Sequence, residues 1–172
     1  MALAFAVKQS AWPFFPFYFA YLWFKEKDKS KVLKTIALFI AVFASVVLPF
    51  FFWNPKAFVE STILYLSGNT LHAYPISGYG FGMLLNQLGV IKNIKDNFPF
   101  LMVQLLVCIP LLIYLLKYLK QNTSVKTLIL AYAIFLSVFW YFSRYFNNSH
   151  IAYISILITM AYFWPSNENK TS

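Results

Sequence analysis

The run Thr35-Ile-Ala-Leu-Phe-Ile-Ala-Val-Phe-Ala-Ser-Val-Val-Leu-Pro-Phe-Phe-Phe-Trp53 contains 19 residues and no charged side chain. A helix rises about 1.5 Å per residue, and the hydrocarbon core of a bilayer is about 30 Å thick. A helix of this length and composition can therefore cross a membrane. The run predicts a transmembrane helix.

Four further apolar segments lie on either side of this run. They cover residues 2–24, 98–116, 127–142 and 151–164. In the first segment we expect a helix that is kinked near Pro13 and Pro16, because each proline removes a backbone donor. The sequence thus predicts an all-α polytopic membrane protein, a single membrane domain with about five transmembrane helices and one or two short outer interfacial helices.

The composition excludes other classes of protein. Of the 172 residues, 60% are hydrophobic and 11% are charged, whereas soluble domains are about half apolar and about a quarter charged. Such an apolar chain is not intrinsically disordered. Its one cysteine, Cys108, excludes a disulfide scaffold and lies within an apolar segment, where packing is its expected role.

Lysines predict the orientation of the spans. Five lysines lie in residues 25–34 and three in residues 117–126, whereas the loop 143–150 carries only Arg144. Loops rich in lysine face the cytoplasm. We therefore expect a multi-pass protein of the cell membrane, with the amino terminus outside and the carboxyl terminus in the cytoplasm. Much of the net charge of +9 is then explained by topology, and a nucleic-acid partner is not expected.

The outer loop 54–97 contains two predicted short helices. Asn54 is a good cap and Pro55 suits a first helical turn, so an amphipathic helix is expected over 55–67, lying along the membrane. A second helix is expected over 83–88, ended by Gly89. Between them lie Gly78, Gly80 and Gly82. These glycines favour a tight turn, and a phosphate-binding backbone nest is the alternative.

Six polar residues on the outer side are candidates for binding a substrate. They are Lys8, Gln9, Arg144, Asn147, Asn148 and His150. A fifth span that begins at Ile151 would cover only about 21 Å, which brings the residues before it toward hydrocarbon depth. Cations at that depth are functional candidates, and the arginine fork suits an anionic headgroup. The alternatives are that Lys8 snorkels to the interface, that Arg144 ends its helix, and that His150 is a loop histidine with its hydrogen bonds satisfied.

No catalytic residue is assigned from the sequence. His72 and His150 lack the spacing of metal ligands, so we expect neither a metal nor a cofactor. Glu60 and Asp96 are the acidic residues on the predicted outer side, and both lie in polar surroundings that do not suit a tuned general base.

Three motifs together resemble a known family. They are Val7-Lys-Gln-Ser-Ala-Trp-Pro-Phe-Phe-Pro-Phe-Tyr18, Pro49-Phe-Phe-Phe-Trp-Asn-Pro-Lys-Ala-Phe58 and Ser143-Arg-Tyr-Phe-Asn-Asn-Ser-His150. The first resembles the lysine-glutamine span of polytopic GT-C glycosyltransferases, in particular polyprenyl-phosphate-mannose-dependent mannosyltransferases. The second is similar to the junction at which those proteins begin an outer amphipathic helix. The third resembles their outer loop before a late helix.

The resemblance implies a lipid-phosphate-linked sugar donor that is used at the outer face of the membrane. Lys8 and Arg144 match by role the basic residues that hold the donor phosphate. Family members carry more spans than this chain, and they have an acidic residue in a first outer loop. The chain is therefore expected to be a carboxyl-terminal part of such an enzyme. We expect it to be inactive alone and to pair with further amino-terminal spans. The alternatives are a small non-enzymatic integral membrane subunit, a carrier of lipid-linked substrate, and, third, a channel.

Overall fold

The structure, a computed structural model, describes residues 2–7, 9–65 and 74–165. This part of the chain is mostly helical, with one two-stranded parallel sheet. The elements in chain order are α1 (Ala2–Val7), a 3-10 helix (Gln9–Phe14), α2 (Phe15–Lys25), α3 (Lys29–Trp53), α4 (Pro55–Val59), a π-helical turn (Glu60–Leu64), β1 (Ser77–Gly78), α5 (Phe81–Gln87), α6 (Phe100–Gln121), α7 (Val125–Tyr141), β2 (Tyr145–Phe146) and α8 (Asn148–Phe163).

Two of the described helices, α3 and α6, are long and apolar enough to cross a membrane. Only 6% of the most apolar stretch of α3, and 22% of that of α6, is buried within the protein. The core helix of a soluble protein is mostly buried, so these exposed apolar surfaces favour a membrane location. The helices α7 and α8 have 17 and 16 residues and span about 26 and 24 Å.

The core of the molecule is built around α7. This helix packs against α2, α6 and α8, and its buried residues recur at helical spacing. They are Leu128, Ile129, Ala131, Tyr132, Ala133, Phe135, Leu136 and Trp140. Cys108 of α6 is buried in the same cluster as a free thiol, which agrees with the packing role expected for it.

The first apolar segment is divided, not simply kinked. The ring centroids of Phe5 and Phe15 are 4.3 Å apart, although ten residues of continuous helix span about 15 Å. The chain therefore turns back between α1 and α2. The indole Nε1 of Trp12 holds this turn by donating to the Phe5 carbonyl at 2.9 Å. Pro13 lies within the 3-10 helix, where the lost backbone donor helps to interrupt the α-helix.

Helix starts are set by capping side chains. The Asp28 carboxylate accepts from the backbone N–H groups of Ser30 and Lys31 at 2.9 and 3.4 Å, so α3 begins six residues before the apolar run. The Asn54 side chain accepts from the Ala57 N–H at 3.0 Å, and the predicted start of the next helix at Pro55 is found. That helix changes to π-helical geometry over Glu60–Leu64. Residues 66 and 67 of the predicted amphipathic helix lie outside the described residues.

The second short helix of this segment begins earlier than expected. It covers Phe81–Gln87, and the chain leaves it through Gly89, whose φ is +74°. A left-handed residue at this point is a common way to end a helix, and glycine adopts it without steric strain. The predicted end at Gly89 is therefore confirmed.

Candidate functional site

The segment that precedes α6 is joined to the turn between α7 and α8. We call this region, residues 74–100 together with 143–150, the junction. Strands β1 and β2 pair in parallel within it, with Ser77 opposite Tyr145 and Gly78 opposite Phe146. The Tyr79 N–H donates to the Phe146 carbonyl at 2.7 Å. The junction thus links two parts of the chain that lie far apart in sequence.

Glycines allow the two backbones of the junction to approach. Gly78 has a φ of +88°, and a Cβ at this position would lie 1.8 Å from the Phe146 carbonyl oxygen. A Cβ on Gly80 would lie 2.7 Å from the Tyr141 carbonyl oxygen, and one on Gly82 would lie 2.9 Å from Ile76 Cγ2. These contacts give the glycine run a packing role, in agreement with the tight turn that the sequence favours.

Arg144 lies at the centre of the junction and is only 2% exposed. Its Nη1 donates to the Asp96 carbonyl oxygen at 3.0 Å and its Nη2 to the Ile94 carbonyl oxygen at 3.2 Å. Its Nε donates to the Tyr74 carbonyl oxygen. The guanidinium carbon also lies 5.9 Å from the centroid of the Phe100 ring. The side chain of the residue just before β2 therefore binds three backbone carbonyls of the segment that precedes α6.

The charge of Arg144 is compensated inside the protein. Burial lowers the pKa of the guanidinium, and the nearby charge of Asp96 acts in the opposite direction. An arginine nevertheless keeps its proton, so the group is a buried cation surrounded by carbonyl dipoles. The Asp96 carboxylate itself accepts from the backbone N–H of Asn93 at 2.9 Å.

This geometry differs from the one expected for a substrate-binding arginine. The fork of Arg144 is directed at the backbone of its own chain, and the side chain is buried, so an anion could reach it only if the surrounding residues moved. Binding of a phosphate by Arg144 stays a prediction. The carbonyl partners could not have been found from the sequence, because every residue carries a carbonyl and no side-chain pattern marks these three.

Asn147 and His150 start α8. The backbone N–H of Asn147 donates to Nδ1 of His150 at 3.2 Å, and the Oδ1 of Asn147 accepts from the Ser149 hydroxyl at 2.7 Å. His150 thus takes the place that a Glu or Gln occupies in a capping box. Because Nδ1 accepts, the neutral ring carries its proton on Nε2. Asn148 is exposed as the first residue of the helix.

Three aromatic rings lie close to the ring of His150. Its ring centroid lies 4.6 Å from that of Trp140, 5.4 Å from Tyr145 and 6.0 Å from Phe146. Tyr145 in turn packs against Tyr74 at 4.8 Å. Burial, followed by the neighbouring tyrosines Tyr74 and Tyr65, raises the pKa of the Tyr145 hydroxyl. His150 therefore lies in the first turn of α8 and not in a loop, with Nδ1 bonded to the cap and the ring packed among aromatic side chains.

For Lys8 and Gln9 the structure describes no side chain. Lys8 lies outside the described residues, as does His72. Gln9 begins the 3-10 helix, and its side chain is not among those described. Within residues 2–7, 9–65 and 74–165, no group of three or more His, Cys, Asp or Glu side chains could hold a metal ion.

An open groove of 570 Å³ lies where α3 turns into α4. The sequence predicts an amphipathic helix here but not the groove, which depends on the angle between the two helices. The hydroxyls of Ser61 and Thr62 bond back to the Phe58 carbonyl at 3.2 and 2.6 Å, so they face the helix backbone. The groove is lined by Phe50, Trp53, Asn54, Ala57, Phe58, Ser61 and Thr62.

No protein-family model, curated protein or solved structure matches the chain. The likeness to GT-C glycosyltransferases therefore rests on the three sequence motifs described above.

Proposed function

We propose that the chain is a multi-pass membrane protein that binds a lipid-phosphate-linked sugar at the outer face, as the membrane part of a GT-C-like glycosyltransferase. The observation that carries this proposal is the groove at the end of α3. Its volume lies within the range of small-molecule sites, and its aromatic walls suit a hydrocarbon chain. The exposed Lys56 of α4 is available for a phosphate at the surface.

The arrangement of the helix ends supports a shared orientation for α3, α6, α7 and α8, whereas α2, with 11 residues, covers only about 16 Å. Helix α6 begins, α7 ends and α8 begins at the junction, whereas the lysines of residues 117–126 lie at the other end of α6 and α7. The ring of Tyr65 contacts that of Tyr74, so the segment after α3 also reaches the junction. The lysines at the start of α3 then lie at the opposite end. Both lysine clusters on one side support the positive-inside orientation.

Binding without catalysis is the more consistent role for this chain alone. Glu60 is exposed, and the carboxylate of Asp96 is engaged in a backbone turn. Neither provides the buried and tuned carboxyl group that general acid–base catalysis requires. The proposal therefore includes a partner, namely further amino-terminal spans that supply the catalytic carboxylate.

The groove can be tested by lipid binding. The full chain in nanodiscs is titrated with a polyprenyl phosphate, with and without mannose, and bound lipid is measured by native mass spectrometry. Replacing Trp53 and Phe58 by alanine removes two large apolar walls and should weaken binding about tenfold or more. Phe52→Ala is the matched control, because Phe52 is an exposed neighbour that does not line the groove. Equal binding by both variants would contradict the proposed site.

The second candidate is a small non-enzymatic membrane subunit. It is favoured by Arg144, whose fork is bound to the protein's own backbone and so serves the fold. This candidate predicts that the wild-type chain does not bind polyprenyl phosphate and that it co-purifies with a larger membrane complex. A carrier would instead retain the lipid on purification and show no transferase activity.

A further inference from the structure

The loop of residues 88–95 exposes apolar side chains in a part of the molecule that is not a transmembrane helix. Leu88, Val90 and Ile94 are 68%, 61% and 42% exposed. Single exposed hydrophobic residues are ordinary on protein surfaces, but a cluster indicates an interaction site. Lys92 and Lys95 are exposed within the same loop.

The first half of this loop is held in place, so the exposure is not the result of a loose chain. Ile91 is buried against Ile76, Leu85 and Phe100. The side chain of Asn86 donates to the Ile91 carbonyl at 2.9 Å. The residues on both sides of Ile91 are therefore turned outward by an anchored backbone.

The second half of the loop is fixed by hydrogen bonds. The Asn93 N–H donates to the carboxylate of Asp96 at 2.9 Å, and the Lys95 N–H donates to the side-chain oxygen of Asn93 at 3.0 Å. Arg144 binds the carbonyls of Ile94 and Asp96. Side chains on such a preorganised loop lose little entropy when they bind a surface.

The loop lies beside the start of a helix that is long enough to cross a membrane. Ile91 packs in the same cluster as Phe100, the first residue of α6. If α6 enters the bilayer here, the loop lies at the depth of the lipid headgroups. Apolar side chains interleaved with lysines are typical of segments that anchor at this depth.

We infer that the 88–95 loop is an interfacial anchor: Leu88, Val90 and Ile94 enter the boundary between headgroups and acyl chains, while Lys92 and Lys95 contact lipid phosphates. The lipid is that of the membrane in which the chain itself lies. Charge complementarity favours this occupant, because two lysines are opposed in the loop region only by Asp96, whose carboxylate already accepts a backbone N–H. The inference rests on the proposed membrane location.

The test uses fluorescent probes on single cysteines in the full chain. In a Cys108→Ala background, Leu88→Cys and Val90→Cys are each labelled with an environment-sensitive fluorophore, and Lys27→Cys in the polar α2–α3 loop is the control. The proteins are placed in nanodiscs of neutral or anionic phospholipid that carries a nitroxide at the headgroup–acyl boundary. The probes at positions 88 and 90 should be quenched by the lipid, and the probe at position 27 should remain unquenched.

The contribution of the lysines is tested in the same assay. With the native lysines, the loop probes should be quenched more strongly in anionic than in neutral nanodiscs. Replacing Lys92 and Lys95 by glutamine should abolish this difference and leave the quenching in neutral nanodiscs unchanged. Loop probes that remain unquenched in both lipids would overturn the anchor. A blue-shifted emission without lipid quenching would also overturn it, because a protein would then cover the loop.

One further probe separates the anchor from the proposed function. Ile113 is exposed in the middle of α6, and a fluorophore on Ile113→Cys should be quenched by a nitroxide placed deep in the acyl chains. If it is quenched while the loop probes are not, the anchor alone is wrong. If it is not quenched, the membrane location on which both proposals rest is wrong.

Discussion

At the scale of single residues, Arg144 shows how backbone carbonyls can serve as the hydrogen-bond partners of a buried charged side chain. Its Nε, Nη1 and Nη2 each donate to the backbone of a segment that has little regular structure of its own. Carbonyls in such a segment need partners, and a planar fork can serve several at once. The arginine and the irregular segment therefore stabilise each other.

We predict that Arg144→Ala and Arg144→Lys both lower the free energy of unfolding by about 3 kcal/mol or more, since each leaves buried carbonyls without donors. A lysine provides one compact group and cannot span three acceptors. Unfolding can be followed with a thiol-reactive fluorescent maleimide, because Cys108 is buried in the core. Lys95→Gln is the surface control.

A different outcome would support the predicted role in binding. If Arg144→Lys is as stable as the wild type but binds polyprenyl phosphate more weakly, the guanidinium contacts the ligand and not only the backbone.

Sequence reasoning identified the unusual residues of the junction but not their partners. Arg144 stands out because it is the one arginine among 13 lysines. Its contacts are main-chain oxygens of Tyr74, Ile94 and Asp96, which no side-chain pattern marks. The capping role of His150 in α8 could not be predicted from the sequence either, because a histidine at the third position of a helix is not the usual capping partner.

At the scale of elements, apolarity predicted where most of the long helices lie better than it predicted where they begin and end. The apolar run that begins at Thr35 belongs to a helix that begins at Lys29, because the Asp28 cap and not hydropathy sets the start. Likewise α6 continues to Gln121, past the predicted end at residue 116. The proline-rich first segment was expected to kink, but spacing alone could not distinguish a kink from the complete turn that is found.

The pairing of β1 with β2 can be tested through its glycines. Gly78→Ala should destabilise the protein by about 3 kcal/mol or more, because the new methyl group overlaps the Phe146 carbonyl and the left-handed backbone becomes strained. Gly89→Ala is a matched control, since Gly89 also has a positive φ but open space around it. Gly89→Ala should lower the free energy of unfolding by about 1 kcal/mol.

Both glycine variants can be compared in the maleimide unfolding assay. Equal losses of stability at the two positions would mean that backbone strain, and not the close approach of β1 and β2, is what matters at Gly78.

At the scale of the whole molecule, the described helices form a bundle of α2, α6, α7 and α8 with α3 at its side. The contacts of α3 include aromatic pairs, for example the ring of Phe39 packed on those of Phe5 and Phe19. The sequence predicted about five transmembrane helices, and two of the described helices, α3 and α6, are long and apolar enough to cross a membrane. It could not predict how they pack, because an apolar side chain can face either lipid or another helix.

The orientation of the molecule is predicted to place the junction outside the cell. On a Cys108→Ala background, Lys95→Cys should react with a membrane-impermeant maleimide added to intact cells, whereas Lys27→Cys should react only after permeabilisation. Reaction of Lys27→Cys in intact cells would contradict the positive-inside assignment. If both positions react, the chain does not separate these two loops by a membrane.

The bonds from Arg144 to the carbonyls of Tyr74, Ile94 and Asp96 span 70, 50 and 48 residues of sequence. Their length imposes an order on folding during synthesis. At about 5–20 residues per second, roughly 3–14 s pass between synthesis of the first of these partners and that of the arginine. During that interval the segment that precedes α6 has been synthesised but Arg144, which follows α7, has not. The junction therefore closes late in synthesis, because its bonds need Arg144 as well as the segment that precedes α6.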